Sequence, residues 1–469
     1  MDPRGRARRV RRRTPAGRDR PRVDDTIVAV ATPIGESAIG VIRVSGPDAI
    51  ATVAPLLRTS TPLADFASHA LRRVRVIDPK SGELLDDALC AVMRAPRSST
   101  GEDVVELSCH GSPAVLRLIT LWIVASGARL ATPGEFTRRA FLNGRLDLAQ
   151  AEAVALLISA RTDRAVALAA RALAGGLSDQ VRGVWAALVD LIAGLEVVLD
   201  FPEEQVGQDC VTARATVARL RDDVQRWLTS ARHGRVVHDG LTLALVGPPN
   251  AGKSSLLNVM LGHDRAIVSP LAGTTRDVVE GTLVLNGVPV RLLDTAGIDV
   301  ARDAVEAEGI RRSRRAMEES DLLLVVLDGS IPPASRLLEE TASRARVLVR
   351  AKSDLPVHRE AAALSDAVPA STVTAGGLEA LRERLQHEVE RRAAAAGDEG
   401  GVIASLRQIA LLEALHTALV ASDAALVNAP LEAALVDLRE ALAHAGAILG
   451  VDVGDAILDR IFSTFCLGK

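Results

Sequence analysis

Residues 247–254 read GPPNAGKS, and this stretch decides the fold of the central part of the chain. It fits the pattern G-x-x-x-x-G-K-[ST] and follows the apolar run 241–246, which predicts a buried strand. Between a strand and a helix, such a loop cradles phosphates with its backbone N–H groups and the positive end of the helix. Lys253 is predicted to neutralise the β- and γ-phosphates and Ser254 to hold Mg²⁺. The sequence therefore predicts a nucleotide-binding domain.

Three later motifs indicate which nucleotide binds: GTTRD at 273–277, DTAG at 294–297 and AKSD at 351–354. Thr275 is predicted to coordinate Mg²⁺ and to sense the γ-phosphate, and Asp294 to orient a water on the metal. Apolar runs at 288–293, 322–327 and 347–349 predict further buried strands. The AKSD motif resembles the guanine-reading N/T-K-x-D of GTPases, in which Asp354 accepts both guanine N1–H and its exocyclic amine. These motifs favour GTP.

Two departures concern the base-reading loops. Ala351 stands where GTPases usually carry Asn or Thr, and STVTA at 371–375 matches the last guanine loop only loosely. We expect GTP affinity to be lower by about 1 kcal/mol for one lost neutral hydrogen bond.

The length and composition describe a large chain without a membrane signal. Its 469 residues, 48% of them hydrophobic, suggest about three domains. No run of eighteen uncharged apolar residues occurs, so no membrane span is expected. The four cysteines (90, 109, 210 and 466) have no C-x-x-C spacing, so neither a disulfide framework nor a zinc site is expected. A reduced cytoplasm fits this pattern.

The charge is concentrated at one end. Residues 1–22 hold ten Arg against two Asp, a net charge of +8 in a chain whose total is −3. Such an arm could bind nucleic acid through phosphates, or it is a disordered extension; a separate hypothesis places the initiation point at Val23. The second interpretation is favoured. Only four lysines, at 80, 253, 352 and 469, occur among 56 basic residues, which makes Lys469 a candidate functional residue.

Periodicity divides the chain into five segments. A basic disordered extension (1–24) precedes an α+β domain (25–143) with a helix at 113–125. Helical patterns fill 144–236 and 399–469, and a helix from an N-cap at Thr212 to Ala231 is predicted in the first of them. The GTPase segment, 237–398, interrupts the helices. The predicted fold is a multidomain α/β protein with an α+β N-terminal domain, a helical bundle and an inserted P-loop GTPase domain with a mostly parallel sheet.

Five flanking motifs carry a resemblance to a known family. They are DTIVA at 25–29, TGEDVVE at 100–106, PGEFTRRAFLNG at 133–144, LDLAQAE at 146–152 and FCLGK at 465–469. With them, residues 25–469 resemble the tRNA-modifying GTPases of the MnmE/TrmE family. These motifs are far more specific than the P-loop, which many NTPases share.

The resemblance implies a folate-binding N-terminal domain that also builds a homodimer. Family members work in a heterotetramer with an FAD-dependent partner of the MnmG/GidA type. They add an aminomethyl or carboxymethylaminomethyl group to C5 of the wobble uridine in certain tRNAs. The one-carbon unit comes from a reduced folate (5,10-methylene- or 5-formyl-tetrahydrofolate). By position, the folate contacts fall on Arg43, Glu106, Arg145 and Lys469; Arg145 replaces the lysine that other members often carry.

The resemblance also implies how GTP is hydrolysed. The water-orienting Gln that regulatory GTPases carry after D-x-x-G is replaced by Ile298, which cannot polarise water. Family members use K⁺ instead of an arginine finger when two G domains face each other. In this chain the K⁺ positions are Asn250, Ser269, Leu271 and Thr274. Glu306 matches the acid that positions the attacking water, and Glu306, Asn250 and Lys253 form the predicted catalytic set. The predicted GTP-binding residues are Asn250, Ala251, Gly252, Lys253, Ser254, Ser255, Ser269, Pro270, Leu271, Ala272, Gly273, Thr274, Thr275, Asp294, Thr295, Ala296, Gly297, Lys352 and Asp354.

Other interpretations stay open at this point. A ribosome-assembly GTPase is disfavoured because no KH-like G-x-x-G module follows the G domain. A non-enzymatic nucleotide switch that only scaffolds partners also stays open, because Ala351 weakens the predicted guanine site and the chain could have lost GTP turnover. Cys466 invites a nucleophile role, but no paired base is visible near it in sequence, so packing of the terminus is favoured.

Overall fold

The computed structural model describes residues 25–200, 210–263, 281–294, 316–393 and 402–469. The chain forms two compact units, one up to Asp147 together with Val453–Lys469 and the other Leu148–Asp452. The division of the chain into five segments stays a prediction.

The first unit is built on a seven-stranded, mostly antiparallel sheet with the order β3-β4-β5-β6-β2-β1-β7. Its strands are β1 Ile27–Val30, β2 Ser37–Ser45, β3 Leu57–Arg58, β4 Leu71–Ile77, β5 Leu84–Met93, β6 Val104–Gly111 and β7 Arg129–Leu130. Its helices are α1 Ala49–Val53, α2 Pro113–Ala125 and α3 Glu135–Leu142, with short 3₁₀ turns at Ala54–Leu56 and Leu63–Asp65.

Alternation along the strands decides which face of this sheet is covered. In β5, Ala88, Cys90 and Val92 are buried in the core with Ile42 and Leu107, among others, while the residues between them are more exposed. Helix α2 packs on this core through Leu116, Ile119 and Ile123, which share one helical face. Its bounds confirm the helix predicted at 113–125, and its Pro113 occupies the first turn, where a missing N–H costs nothing.

The second unit joins a helical bundle to a six-stranded α/β domain. Its helices are α4 Leu148–Ser159, α5 Asp163–Leu173, α6 Gly176–Asp200, α7 Cys210–Asp239, α8 Lys253–His263, α9 Ser335–Glu340, α10 Arg359–Ala362, α11 Glu379–Ala393, α12 Leu406–Asn428 and α13 Leu431–Leu449. Its strands are β8 Leu241–Val246, β9 Gly281–Leu285, β10 Val288–Asp294, β11 Leu322–Asp328, β12 Arg346–Ala351 and β13 Val368–Pro369. A last helix, α14 (Asp455–Phe462), belongs to the first unit.

The sheet of the second unit has the order β13-β12-β11-β8-β10-β9, and every neighbouring pair except β9–β10 is parallel. The predicted strands at 241–246, 288–293, 322–327 and 347–349 all lie within it. Strand β11 is buried along its whole length, which explains its continuous apolar sequence. The multidomain α/β fold with a mostly parallel sheet is confirmed.

Helix α7 corrects one sequence prediction. Thr212 lies inside the helix and is not its N-cap, and the helix continues past Ala231 to Asp239. Val224, Leu228, Ala231 and Val237 are all buried, so the apolar face simply continues beyond the predicted end. At Gly234 an added Cβ would collide with the carbonyl oxygen of Val402, so the absence of a side chain allows a close backbone approach.

Helix α12 is long and apolar enough, by length and composition alone, to cross a membrane. It is the one such helix in the described part of the chain. Its Leu412, Leu415 and Leu419 are buried in the core of the bundle, as in the central helix of a globular domain.

Candidate functional site

The loop between β8 and α8 has the geometry of a phosphate cradle. Asn250 and Gly252 adopt positive φ angles of 61° and 98°, which turn the chain sharply before the helix begins at Lys253. A Cβ at Gly247 would collide with the carbonyl oxygen of Val326, so glycine lets the loop lie against β11. The Lys253 ammonium is buried and donates to the carbonyl oxygens of Gly247 (2.9 Å) and Pro248 (3.0 Å).

Strand topology gathers the other described motifs at the same edge of the sheet. Asp294 ends β10 and pairs in parallel register with Leu245, two residues before the phosphate loop begins. Lys352 and Asp354 follow β12, and Ser371 follows β13. Because the carboxyl ends of parallel strands meet at one edge, all of these residues border one crevice.

The loops predicted to read the base are joined by one side-chain and one backbone hydrogen bond. Ser371 Oγ donates to Asp354 Oδ1 at 2.7 Å, and the Ser353 N–H donates to the Ala370 carbonyl at 3.1 Å. The structure therefore joins the weakly matching loop at 371–375 to the carboxylate predicted to read guanine. Asp354 keeps its second oxygen outside this hydrogen bond.

Asp328 is a site residue that sequence reasoning missed. Lys352 adopts a positive φ of 57°, and its Nζ donates to Asp328 Oδ2 at 2.7 Å. Burial favours the protonated form of Asp328, but bonds from Lys352 and Ser330 outweigh it and hold its pKa below the usual value. The available signal was its place as the last residue of β11, opposite Ala351 in the register.

Ala351 faces the phosphate loop. It is buried, and its Cβ lies 3.9 Å from a Cβ built on Gly252. A longer polar side chain at this position would therefore point at the cradle. The effect of Ala351 on GTP affinity stays a prediction.

Many predicted residues lie outside the described residues, and their roles stay predictions. They are Ser269, Pro270, Leu271, Ala272, Gly273, Thr274, Thr275, Thr295, Ala296, Gly297, Ile298 and Glu306, while Asp294 is described only through its backbone. The described part of the predicted site is Asn250, Ala251, Gly252, Lys253, Ser254, Ser255, Lys352 and Asp354.

In the first unit, two of the four predicted folate contacts pair directly, and the backbone next to a third, Lys469, is bonded to one of them. Arg43 and Glu106 are opposite each other in the β2–β6 register, and Arg43 Nε donates to Glu106 Oε1 at 2.7 Å. The Arg43 guanidinium also donates to the Gly468 carbonyl at 3.1 Å. The neighbouring Lys469 carbonyl accepts from the Phe136 N–H at 3.2 Å. The C-terminus thus lies beside the Arg43–Glu106 pair.

The C-terminal segment is fixed by close backbone contacts. Gly468 has a φ of 87°, and a Cβ there would lie 2.7 Å from Ala31 Cα. Gly134 also has a positive φ, and a Cβ there would lie 3.0 Å from the side chains of both Phe462 and Phe465. The Cys466 thiol is free and exposed, so the neighbours of Cys466, and not its own side chain, pack the terminus.

Arg145, the fourth predicted folate contact, is not hydrogen-bonded to the other three. It is exposed, and its Cγ would be 3.2 Å from a Cβ built on Gly101. In the described residues, no hydrogen bond joins its side chain to Arg43, Glu106 or Lys469.

A second feature missed by sequence reasoning is a buried ion-pair cluster built from three of the flanking motifs. Arg139, of which 1% is exposed, donates to Asp25 Oδ1 (2.6 Å), Glu102 Oε2 (3.2 Å) and Glu135 Oε1 (3.1 Å). Arg129 also bonds Asp25 and Glu135. Burial alone would raise the pKa of Glu135, but its hydrogen bonds, that from Arg129 first, lower it to about 2.

Comparison with known proteins identifies the family. A family model described as "GTP-binding protein TrmE N-terminus" matches residues 26–145, and one described as "MnmE helical domain" matches 148–466. The tRNA modification GTPase MnmE of Koribacter versatilis is 42% identical over 95% of this chain and 100% of its own length. The protein of the same name from Carboxydothermus hydrogenoformans is 40% identical with the same coverages. Among solved structures, the G domain of the T. maritima FeoB iron transporter matches 33% of this chain and 98% of its own, at 26% identity and a TM-score of 0.24. On the two family models and the curated relatives, this chain belongs to the MnmE family of tRNA modification GTPases.

Proposed function

We propose that this chain is the GTP-hydrolysing component of a complex that modifies C5 of the wobble uridine in certain tRNAs. The observation that carries the proposal is the shared crevice: the phosphate loop after β8 and the guanine-reading Asp354 after β12 lie at one edge of the sheet. Family membership supports tRNA modification as the purpose of hydrolysis.

The phosphate loop supplies the groups for binding. Lys253 leaves the Gly247 and Pro248 carbonyls for the β- and γ-phosphates, and Ser254 with Thr275 holds Mg²⁺. Asp354 reads guanine while Ser371 fixes its orientation. Asn250 is exposed where the loop turns, so its amide oxygen is available to a K⁺ shared with Ser269, Leu271 and Thr274. Such a K⁺ would supply the charge that an arginine finger supplies elsewhere, and Glu306 would orient the attacking water.

In the first unit, the Arg43–Glu106 pair and Lys469 are proposed to bind a reduced folate. Arg43 uses only Oε1 of Glu106, which leaves Oε2 to accept from the pterin ring. Lys469 and the exposed Arg145 supply cations for the glutamate carboxylates of the folate. Bound folate would supply the one-carbon unit, whether as 5,10-methylene- or 5-formyl-tetrahydrofolate.

The proposed partners complete this function. The chain would act as a homodimer, assembled with an FAD-dependent protein of the MnmG/GidA type and with tRNA, in the cytoplasm. The chain contains no tyrosine, which favours contact with tRNA through local basic patches or through the partner.

The test is GTP hydrolysis by the purified chain in KCl against NaCl at matched ionic strength. The proposal expects a strong K⁺ preference that disappears in Asn250→Ala. The matched control is Asn258→Ala, an exposed amide on α8, which should keep that preference. Equal slow rates in both salts would contradict K⁺ activation and favour a nucleotide switch that scaffolds partners.

A further inference from the structure

The edge of the first unit's sheet carries two arginines that lie directly opposite each other. Strand β3 is only two residues long, and its Arg58 is the register partner of Arg75 on β4. The preceding pair, Leu57 and Val76, packs into the core, so both arginines project from the other face of the sheet, where they are exposed. Residues paired in this way have Cβ atoms about 5 Å apart, and like charges in such pairs destabilise a sheet. The fold therefore contains a local repulsion between two cations.

A third cation, Lys80, lies in the turn that joins β4 to β5 and is exposed. The Arg58 guanidinium reaches the same turn, because it donates to the Gly82 carbonyl at 3.2 Å. All other lysines of the chain have predicted ligand contacts, at positions 253, 352 and 469. In a chain whose basic residues are almost all arginine, a lysine indicates a place for a compact ammonium group. We call Arg58, Arg75 and Lys80 the β3–β4 basic edge.

None of these three side chains forms an ion pair with a carboxylate among the residues that the structure describes. Two nearby acids are engaged elsewhere. Asp87 accepts from Arg73 at 2.9 Å, and Asp78 accepts from the backbone N–H of Lys80 at 2.7 Å. Glu83 is exposed, and its side chain accepts no hydrogen bond in the described part of the chain. The basic edge therefore keeps N–H donors available to an anion from outside the chain.

The arginines of helix α7 show the opposite pattern. Each of the six lies 3.8 Å or less from a carboxylate oxygen. They are Arg214, Arg219, Arg221, Arg226, Arg232 and Arg235. Exposed pairs of this kind contribute little stability, but they neutralise the charge of the helix within the chain. On the basic edge, the charge is left for an external partner.

Protection of an exposed sheet edge explains only one of the three cations. Charged side chains on an edge strand hinder pairing with another chain, and Arg58 on β3 fits that role. Arg75 lies one strand in from the edge and Lys80 lies in a turn, so neither blocks an edge. A protein partner fits less well, because the buried centre of a protein interface is depleted in charged residues. Phosphate groups fit best, since Arg and Lys side chains are the usual contacts of a nucleic-acid backbone.

We propose that the β3–β4 basic edge binds phosphate groups of the tRNA backbone. The proposal rests on the tRNA-modifying function proposed above and assigns part of the tRNA contact to this chain. Arg58 and Arg75 present N–H donors to phosphate oxygens, and Lys80 adds a point charge. A phosphate group between the two arginines replaces their mutual repulsion by two attractions. Such contacts position the tRNA and read no base.

The test is binding of a labelled tRNA with uridine at the wobble position to the full chain, measured by fluorescence anisotropy between about 50 and about 200 mM KCl. The variant Arg58→Gln/Arg75→Gln/Lys80→Gln, which we call the basic-edge variant, should bind about tenfold more weakly at the lower salt concentration. The slope of log affinity against log salt should become shallower by about 2, because each phosphate contact contributes about 0.7–0.9. A tRNA with cytidine at the wobble position should show the same loss, since no base is read.

The matched control removes three exposed arginines of α7 and so changes the net charge by the same amount. This control, Arg219→Gln/Arg226→Gln/Arg232→Gln, should keep the slope of the wild type. A charge-preserving variant that exchanges arginine and lysine at the three positions of the basic edge should keep most of the affinity. All of these proteins carry residues 1–24, so the arginines there contribute equally to every measurement.

An unchanged slope in the basic-edge variant, or an equal change in the α7 control, overturns the proposal, as does a wild-type chain that binds no tRNA. Loss of the homodimer with unchanged tRNA affinity would mean that the edge contacts a second copy instead. K⁺-dependent GTP hydrolysis tests the proposed function separately, and both variants should keep it. If the basic-edge variant does not fold, Lys80→Gln alone, in an exposed turn, should make the slope shallower by about 0.7.

Discussion

Replacing Arg139 by methionine tests whether the buried ion-pair cluster of the first unit holds that unit together. The substitution keeps an apolar side chain of similar length but removes the cation that three carboxylates share. Removing one partner of a buried ion pair usually costs 3–5 kcal/mol, because the remaining charge is left uncompensated. Arg129 still bonds Asp25 and Glu135, so only Glu102 loses its cation outright. We therefore expect the lower end, about 3 kcal/mol.

Hydrogen exchange of the full chain measures this loss within the first unit alone. Amides of β1, β6 and α3 should exchange about 100-fold faster in Arg139→Met, while those of the bundle stay unchanged. The matched control is Arg138→Met on the same helix, since 31% of the Arg138 side chain is exposed and its partners Asp455 and Asp459 are more exposed still. Surface pairs contribute about 1 kcal/mol or less. Equal exchange in the two variants would refute the argument that the buried cluster stabilises the unit.

Three further predictions concern the second unit. Ala351→Asn should tighten GTP binding about fivefold, through one regained hydrogen bond near the cradle, and calorimetric titration showing unchanged affinity would exclude that account. Asp328→Asn should weaken GTP binding by about 1 kcal/mol, because it removes the charge that positions Lys352. The effect is small because 37% of the Lys352 side chain is exposed, so that solvent screens the ion pair. A GTP affinity equal to that of the wild type would mean that Asp328 does not position Lys352. Burial would lower the pKa of His238, but its bonds to Asp239 and the Leu156 carbonyl raise it above its ordinary value of 6.5. Protonated His238 therefore stabilises the folded state fully below pH 6.5, and this contribution is lost as the pH rises through the raised pKa. The melting temperature should fall over that pH range in the wild type but not in His238→Gln.

Periodicity and spacing were sufficient for the elements whose information is local. The phosphate loop needs only a strand, glycines and a helix start in sequence, and the strand at 241–246 and the helix at 113–125 have the predicted bounds. Helix α7 shows where local signals fail: Thr212 is a good capping residue in isolation, but the helix already includes Cys210, and the buried face continues past Ala231 to Val237. Tertiary packing decides the C-terminal end.

Long-range pairing could not be derived from the sequence at all. The hydrogen bond between Arg43 and Gly468 joins residues 425 positions apart, and nothing local connects them. Only the family resemblance placed Arg43, Glu106 and Lys469 in one site. Asp328 had no such help, because an acid at the end of an apolar strand is ordinary until the register sets it opposite Ala351.

The two acids of the TGEDVVE motif at 100–106 have different roles, although they belong to one sequence motif. Glu102 and Glu106 are four residues apart, but their side chains make different contacts. Glu102 already accepts from Ser45 and from the buried Arg139, so its carboxylate is committed to holding the fold. Glu106 lies on β6, accepts only from Arg43 among the residues that the structure describes, and leaves one oxygen for a ligand at an accessible surface. Sequence similarity weights the two acids equally, but hydrogen-bond capacity assigns the proposed pterin contact to Glu106 alone.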